Sequence, residues 1–382
     1  MTLLARRPRA VLVVLALALT AVVPAMPAAR AAGDHHRPVG GDLLRSRGLV
    51  VRVPSRTPRP PAVSAASYVV ADLDTGAVLA AKDPHGRYAP ASTLKILTAL
   101  TLIPRLSPSQ LVTATAADAD VDGSKVGVVP GGRYHVDDLF RALMMVSGND
   151  AANVLAEAAG GGSATIAAMN ERARQLGALD TVARTPSGLD VAGQTSSAYD
   201  LALIARAGLG LPEFRRYVAT RRADFPAPGG RRFEIYTHNR LLVRYPGALG
   251  VKNGFTSTAR ASFVGAARRG DRTLVVTLLR AQPRVWDEAA RLLDWGFTAG
   301  ARARPVGTLV EPEPDPALAN GRLDGTNPHA ASLPVPPPGH PPLALFGSAA
   351  LVASGLLGLR MRARDRAAAR GGRQRPRALP PL

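Results

Sequence analysis

The chain has 382 residues, no cysteine, and 48 basic against 28 acidic side chains, a formal net charge of +20. Without cysteine there is neither a disulfide framework nor a thiolate metal centre. Twelve of the arginines sit in residues 1–31 and 360–382, so the middle is only moderately basic and, with no aromatic-interleaved basic patch, is not built for nucleic acid; an anionic wall or membrane surface suits it better.

Residues 1–32 read as a secretory signal peptide, with a basic start ("MTLLARRPRA"), an apolar stretch ("VLVVLALALTAVV") and small residues for cleavage near Ala31 or Ala32. Residues 33–62 are rich in Pro, Gly and Arg and read as an extended leader. Residues 63–300 have ordinary globular composition. "SYVVADLDTGAVLAAKD" predicts two strands around a turn, and a helix is expected from Ser92 to Ile103. Further helices are expected at 136–146, 149–159, 164–176 and within "SSAYDLALIARAGL". Strands return in "RRFEIYTHN", "ALGVKNGFT", "ASFVGAARRG" and "RTLVVTLLRA", and "VWDEAARLLDWGF" closes as a helix. Strands at both ends with helices between predict one α+β domain, an antiparallel sheet flanked by helices. Residues 301–341 read as a stiff Pro-rich linker. Residues 342–360 contain a charge-free apolar run, Leu343 to Leu359, read as one C-terminal transmembrane helix. The arginine-rich tail, 361–382, then belongs on the cytoplasmic side, which leaves the body exported and anchored at the outer face of the membrane.

Only four of the basic residues are lysines: Lys82, Lys95, Lys125 and Lys252. In "YAPASTLKILTAL", Lys95 follows Ser92 by three residues, one helical turn. A serine hydroxyl needs a base beside it, and a lysine depressed toward neutrality can serve where an arginine cannot. The same residues also read as a serine cap followed by a surface lysine. Ser147-Gly148-Asn149 lies between two helical patterns, either as a helix stop and cap or as a loop presenting a hydroxyl and a carboxamide to a cleft. Lys252-Asn253-Gly254 reads either as a hairpin turn or as a strand in which Gly254 lets a ligand lie close to the backbone.

Taken together, Ser-x-x-Lys, Ser-Gly-Asn and Lys-Asn-Gly occur in the order, at intervals of 55 and 105 residues, of the active-site set of penicillin-binding proteins and class A β-lactamases. The stretch from about residue 63 to 300 resembles the D-alanyl-D-alanine carboxypeptidases, the low-molecular-mass penicillin-binding proteins. The likeness extends to "LFRALMMVSGNDAANVLAE", "RTPSGLD" and "YPGALGVKNGFTSTARASFVGAA". What this resemblance implies is an acyl-enzyme on Ser92, formed from a peptidoglycan stem peptide ending in D-Ala-D-Ala, with no cofactor. Lys95 would take the hydroxyl proton, and Ser147 would relay one to the leaving D-alanine. Asn149 would hold Lys95, and Lys252 would bind the terminal carboxylate and help keep Lys95 neutral. Asn253, Gly254, Phe255 and Thr256 would line the substrate, with the N–H groups of Ser92 and Phe255 as oxyanion hole. β-Lactams would acylate Ser92.

Two departures stand out. The third motif usually carries threonine where this chain has Asn253, which shifts carboxylate binding to the carboxamide or to Thr256 or Thr258. The small β-rich domain that many relatives carry before their anchor is not evident. A β-lactamase is disfavoured because no glutamate occurs from Arg172 to Pro212 to activate a deacylating water. A DD-endopeptidase or transpeptidase would use the same residues, and a non-catalytic wall-binding protein would have no need of them. Metal catalysis finds no ligand spacing at His35-His36, His85, His135 or His238. Oligomeric state is not legible.

Overall fold

The computed structural model describes residues 38–312. The expected signal peptide, most of the expected Pro-rich linker, the apolar run 343–359 and the arginine-rich tail lie outside the described residues. No helix among the described residues is long and apolar enough to cross a membrane.

In chain order the strands are β1 (Leu49–Val51), β2 (Ser67–Asp72), β3 (Ala77–Lys82), β4 (Leu111–Thr113), β5 (Arg133–His135), β6 (Arg222–Pro226), β7 (Arg232–Tyr236), β8 (Ala248–Thr256), β9 (Arg260–Arg269), β10 (Arg272–Ala281) and β11 (Gly307–Thr308). The helices are α1 (Lys95–Leu102), α2 (Ala116–Ala119), α3 (Val136–Met145), α4 (Asn149–Ala158), α5 (Gly162–Gln175), α6 (Ala198–Gly210), α7 (Pro212–Val218), α8 (Arg240–Arg244) and α9 (Val285–Phe297). Seven strands form an antiparallel sheet in the order β1-β3-β2-β10-β9-β8, with β11 also on β3. β4–β5 and β6–β7 are separate two-stranded ribbons.

The α+β architecture expected from the sequence is present, and the sheet is covered on both faces. Alternation along β2 sends Val69 and Ala71 to one side and Tyr68 and Val70 to the other. The first side packs with Val275 and Leu279 against α1 and α6, and the larger core continues into α3 and α4. The second packs with Leu274, Val276 and Leu278 against Ala289, Leu292 and Leu293 of α9. Each fully buried Val, Leu or Phe of this kind is worth about 1.5–3 kcal/mol. Every residue of α1 is buried, so the helix that begins beside Ser92 is a central rod of the larger core.

The domain is longer than residues 63–300. Part of the expected leader is built in: β1 pairs with β3, and Leu44 is buried. The start of the expected linker is too, through β11 on β3 and the buried Val306 and Leu309. These short pieces carry little periodicity of their own. They fold because the outer edge of β3 offers unpaired backbone groups and apolar surface to both.

Candidate active site

Ser92 lies in a 3₁₀ turn, Ala91–Leu94, that feeds directly into α1. The lysine three residues on reaches back to it, with Lys95 Nζ 3.0 Å from Ser92 Oγ. Nζ also donates to Asn149 Oδ1 at 2.6 Å and to the Ser187 carbonyl at 2.6 Å. A neutral amine has two N–H bonds and one lone pair. The amide oxygen and the carbonyl can only accept, so in the neutral form of Lys95 they take the two N–H bonds and the lone pair faces the serine hydroxyl. Burial holds the Lys95 amine well below the usual lysine range, the nearby Lys252 lowers it further, and the charge of Asp150 opposes the shift.

Asn149 opens α4, and its own Nδ2 donates to the Asp122 carbonyl at 2.7 Å. That bond fixes which end of the amide faces Lys95. The next residue, Asp150, accepts from the backbone N–H groups of Val126, Gly127 and Val128, which ties the loop carrying Asp122 to the helix. Ser147 stands just before α4 in the left-handed region, φ 64°. Its hydroxyl is buried and has no hydrogen-bond partner among the described residues. It is therefore free to bond a substrate.

Lys252 sits in the middle of β8, fully buried, and its Nζ donates to the Asn253 carbonyl at 2.8 Å. No carboxylate pairs with it or with Lys95 among the described residues, and burial pushes Lys252 down to about 7. The Asn253-Gly254 pair is strand and not a hairpin turn; the turn follows Thr256, whose Oγ1 accepts from the Ala259 N–H at 2.9 Å. Gly254 is required by the protein's own backbone, which corrects its reading as ligand clearance alone. A Cβ there would lie 2.7 Å from Ser92 N, 3.0 Å from Thr93 N and 2.6 Å from Ser262 Oγ. The strand thus runs against the turn of the nucleophile, and the Ser92 N–H and the Gly254–Phe255 edge are neighbours, as an oxyanion hole requires. Phe255 is 63% exposed, and Asn253 is partly exposed on the strand face opposite Lys252.

The fold therefore brings Ser92, Lys95, Asn149, Lys252 and Gly254 together. Sequence reasoning missed the backbone contributions of Ser187 and Asp122, because a carbonyl has no residue signature. It also missed Ser262, whose Oγ donates to the Pro90 carbonyl at 2.7 Å and pins the turn, and Gly188, which packs on Ala91. Away from the cleft, His85, Asp180 and Asp200 offer ligand atoms within 4.8 Å of one another, a grouping that sequence spacing hid. Both ring nitrogens of His85 face acceptors, Asp180 Oδ2 at 2.7 Å and the Val39 carbonyl at 3.0 Å, which suits an imidazolium clamp better than a ligand.

A hydroxyl beside a buried amine whose pKa is held well below the usual lysine range, next to a backbone N–H pocket, defines a serine enzyme of the acyl-transfer class. The sequence matches peptidase family S11, D-alanyl-D-alanine carboxypeptidase, over residues 55–282, and the chain belongs to that family. It is 44% identical over 252 residues to D-alanyl-D-alanine carboxypeptidase DacB2 of Mycobacterium tuberculosis, covering 64% of this chain and 86% of that one. It is 31% identical to D-alanyl-D-alanine carboxypeptidase DacF of Bacillus subtilis, covering 61% of this chain and 62% of that one. The crystal structure of a D-alanyl-D-alanine carboxypeptidase from Mycobacterium tuberculosis superposes with a TM-score of 0.65 at 43% identity, covering 68% of this chain and 99% of that one. The Streptomyces K15 DD-transpeptidase superposes with a TM-score of 0.60 at 28% identity, covering 63% and 99%.

Proposed function

We propose that this protein is a serine D-Ala-D-Ala carboxypeptidase that trims the terminal D-alanine from peptidoglycan stem peptides. The observation that carries the reading is the pair of buried lysines without a counter-ion among the described residues, one against Ser92 and one in the adjacent strand. The substrate carboxylate supplies the missing anion to the Lys252 ammonium. Ser92 Oγ attacks the carbonyl of the penultimate D-alanine as Lys95 takes its proton, and the Ser92 and Phe255 N–H groups stabilise the oxyanion. The C–N bond then breaks, and the departing amine receives a proton through Ser147. Water, deprotonated by Lys95, cleaves the ester and regenerates Ser92. β-Lactams enter the same path at the acylation step, and no glutamate between Arg172 and Pro212 is at hand to speed their release.

D-Alanine release from an acyl-D-Ala-D-Ala tripeptide by the full chain, absent in Ser92→Ala, is the expected result. Labelled penicillin should attach to the wild type and not to the variant. Release that persists in Ser92→Ala would remove the nucleophile assignment. A second reading, transfer of the acyl group to an amine, is favoured by the likeness to the Streptomyces DD-transpeptidase. It predicts a new amide product when an acceptor amine is added.

We also propose that the enzyme is exported and anchored with its body outside the membrane, supported by the signal-like residues 1–32, the apolar run 343–359 and the arginines that follow it. A mature N-terminus near residue 32 and resistance to alkaline extraction are the expected outcomes.

A further inference from the structure

Thr98 lies on α1 one helical turn after Lys95, so the two side chains share a face of the helix. It is fully buried. A hydroxyl inside a core is costly unless it is bonded, and valine would fill nearly the same space without that cost. The usual outlet for a threonine within a helix is a carbonyl one turn back on the same helix. Thr98 does otherwise. Its Oγ1 donates at 2.7 Å to the Pro186 carbonyl, 88 residues further along the chain. Met169 Sδ, at 3.7 Å from the same oxygen, is a much poorer acceptor. No other donor reaches the Pro186 carbonyl among the described residues.

The next residue is Ser187, whose own carbonyl accepts from Lys95 Nζ at 2.6 Å. Two side chains one turn apart on α1 therefore hold two successive carbonyls of one loop. The loop is shaped on its far side by Gln194, whose Oε1 accepts from Arg184 N, Thr185 N and Thr185 Oγ1, and by Thr185 Oγ1, which accepts from Gly188 N at 3.0 Å. None of those bonds reaches α1. Gly188 packs so closely on Ala91 that a Cβ would overlap the Ala91 carbonyl, which stops the loop from coming nearer. What stops it from receding is the pair of bonds to Thr98 and Lys95. Lys95 gains and loses a proton during the proposed reaction, and Thr98 does not, so the constant tether is the hydroxyl.

The position of the Ser187 carbonyl matters because a neutral amine has only two N–H bonds with which to orient itself. With Asn149 Oδ1 as sole acceptor, the amine would turn about its Cε–Nζ bond, and its lone pair would leave the Ser92 hydroxyl. We infer that Thr98 is a positioning residue for acyl transfer: through the Pro186–Ser187 segment it holds the carbonyl that aims the Lys95 lone pair at Ser92. The inference rests on the reading of Ser92 as nucleophile and Lys95 as base. Binding belongs to Lys252 and the edge of β8, so loss of the hydroxyl slows the bond-forming step and leaves affinity alone.

The test uses the full chain, Thr98→Val and Thr98→Ser, with penicillin as the probe. Stopped-flow measurements separate its reversible affinity from the acylation rate constant. In Thr98→Val acylation is expected to fall about tenfold, as for a buried carbonyl deprived of its donor, with affinity unchanged. Thr98→Ser, which keeps the hydroxyl, should recover most of the rate. Acylation at the wild-type rate in Thr98→Val, a loss carried by affinity instead, or a Thr98→Ser protein as slow as the valine variant overturns the inference. Hydrogen exchange over residues 184–189, read by mass spectrometry, needs no reaction. It is expected to be about tenfold faster in Thr98→Val, and unchanged exchange also overturns the inference. If the wild type takes up no penicillin, the fault lies with the nucleophile assignment, and the exchange measurement decides the role of Thr98. Should Thr98→Val fail to fold, Thr98→Ala against Thr98→Ser gives the same comparison.

Discussion

Lys252 is a cation placed where a cation is least welcome. It is fully buried, bonds only a backbone carbonyl among the described residues, and is pushed down to about 7 by burial. Its folded pKa lies below its unfolded one, so the unfolded chain binds more protons between pH 7 and the ordinary lysine value. Stability therefore rises with pH across that interval, and the full penalty is present below about 7. Lys252→Met is accordingly expected to stabilise the free enzyme at pH 6, by about 1–4 kcal/mol, and by much less at pH 9.5. The same variant loses substrate affinity. Denaturant unfolding at the two pH values checks this, and a Lys252→Met protein that is less stable at pH 6 would contradict it. On the proposed mechanism, activity follows the two amines in opposite senses: Lys95 takes the proton when neutral, and Lys252 holds the carboxylate when charged.

Among the elements, the contact that matters most is between β8 and the turn at Ala91–Leu94. Gly254→Ala puts a methyl group against Ser92 N and Ser262 Oγ, and neither the strand nor the first turn of a core helix can retreat freely. A cost of about 1–3 kcal/mol is expected, with a fall in penicillin acylation of more than tenfold because the oxyanion pocket is displaced. Melting temperature and acylation rate together check it, and a variant that acylates at the wild-type rate would refute the close approach. This contact also marks where sequence reading succeeds and where it stops. β8, β10 and α9 are visible at their observed ends, since each is long and strongly patterned. The three-residue strands β4 and β5, the ribbon strand β6 and the short α7 are not, because a few residues hold no period and their partners are distant in sequence. The side chains of the site were legible as motifs. The carbonyls of Ser187 and Asp122 that orient them were not, since any residue could supply them.

At the scale of the whole molecule, the two ends of the described chain meet on β3. β1 pairs with its residues 80–82 and β11 with 77–78, while the Thr308 N–H bonds the Gly40 carbonyl at 2.8 Å. His85 adds a bond to Val39; burial opposes its charge, but the hydrogen bond and charge of Asp180 raise its pKa above the ordinary histidine value. Deleting residues 38–53 uncovers this edge and the pocket of Leu44. The shortened protein should melt several degrees lower and associate through β3, as read by calorimetry and light scattering. Unchanged melting would mean that the segment merely decorates the sheet.

The pairing of β2 with β10 joins residues 67–72 to 274–279. A chain is made from its first residue onward, so the helix that carries the nucleophile exists long before the strands that must flank it. Without β10, the β2 edge of the β1-β3-β2 sheet has no partner and β8 and β9 have no strand to join them to it, so nothing holds Gly254 against Ser92. The lysine that activates the serine has, at that stage, no dry pocket in which to lose its charge. A chain that stops short of β10 lacks the strand that joins β2 to β9, and through β9 to β8, so it is expected not to react with penicillin.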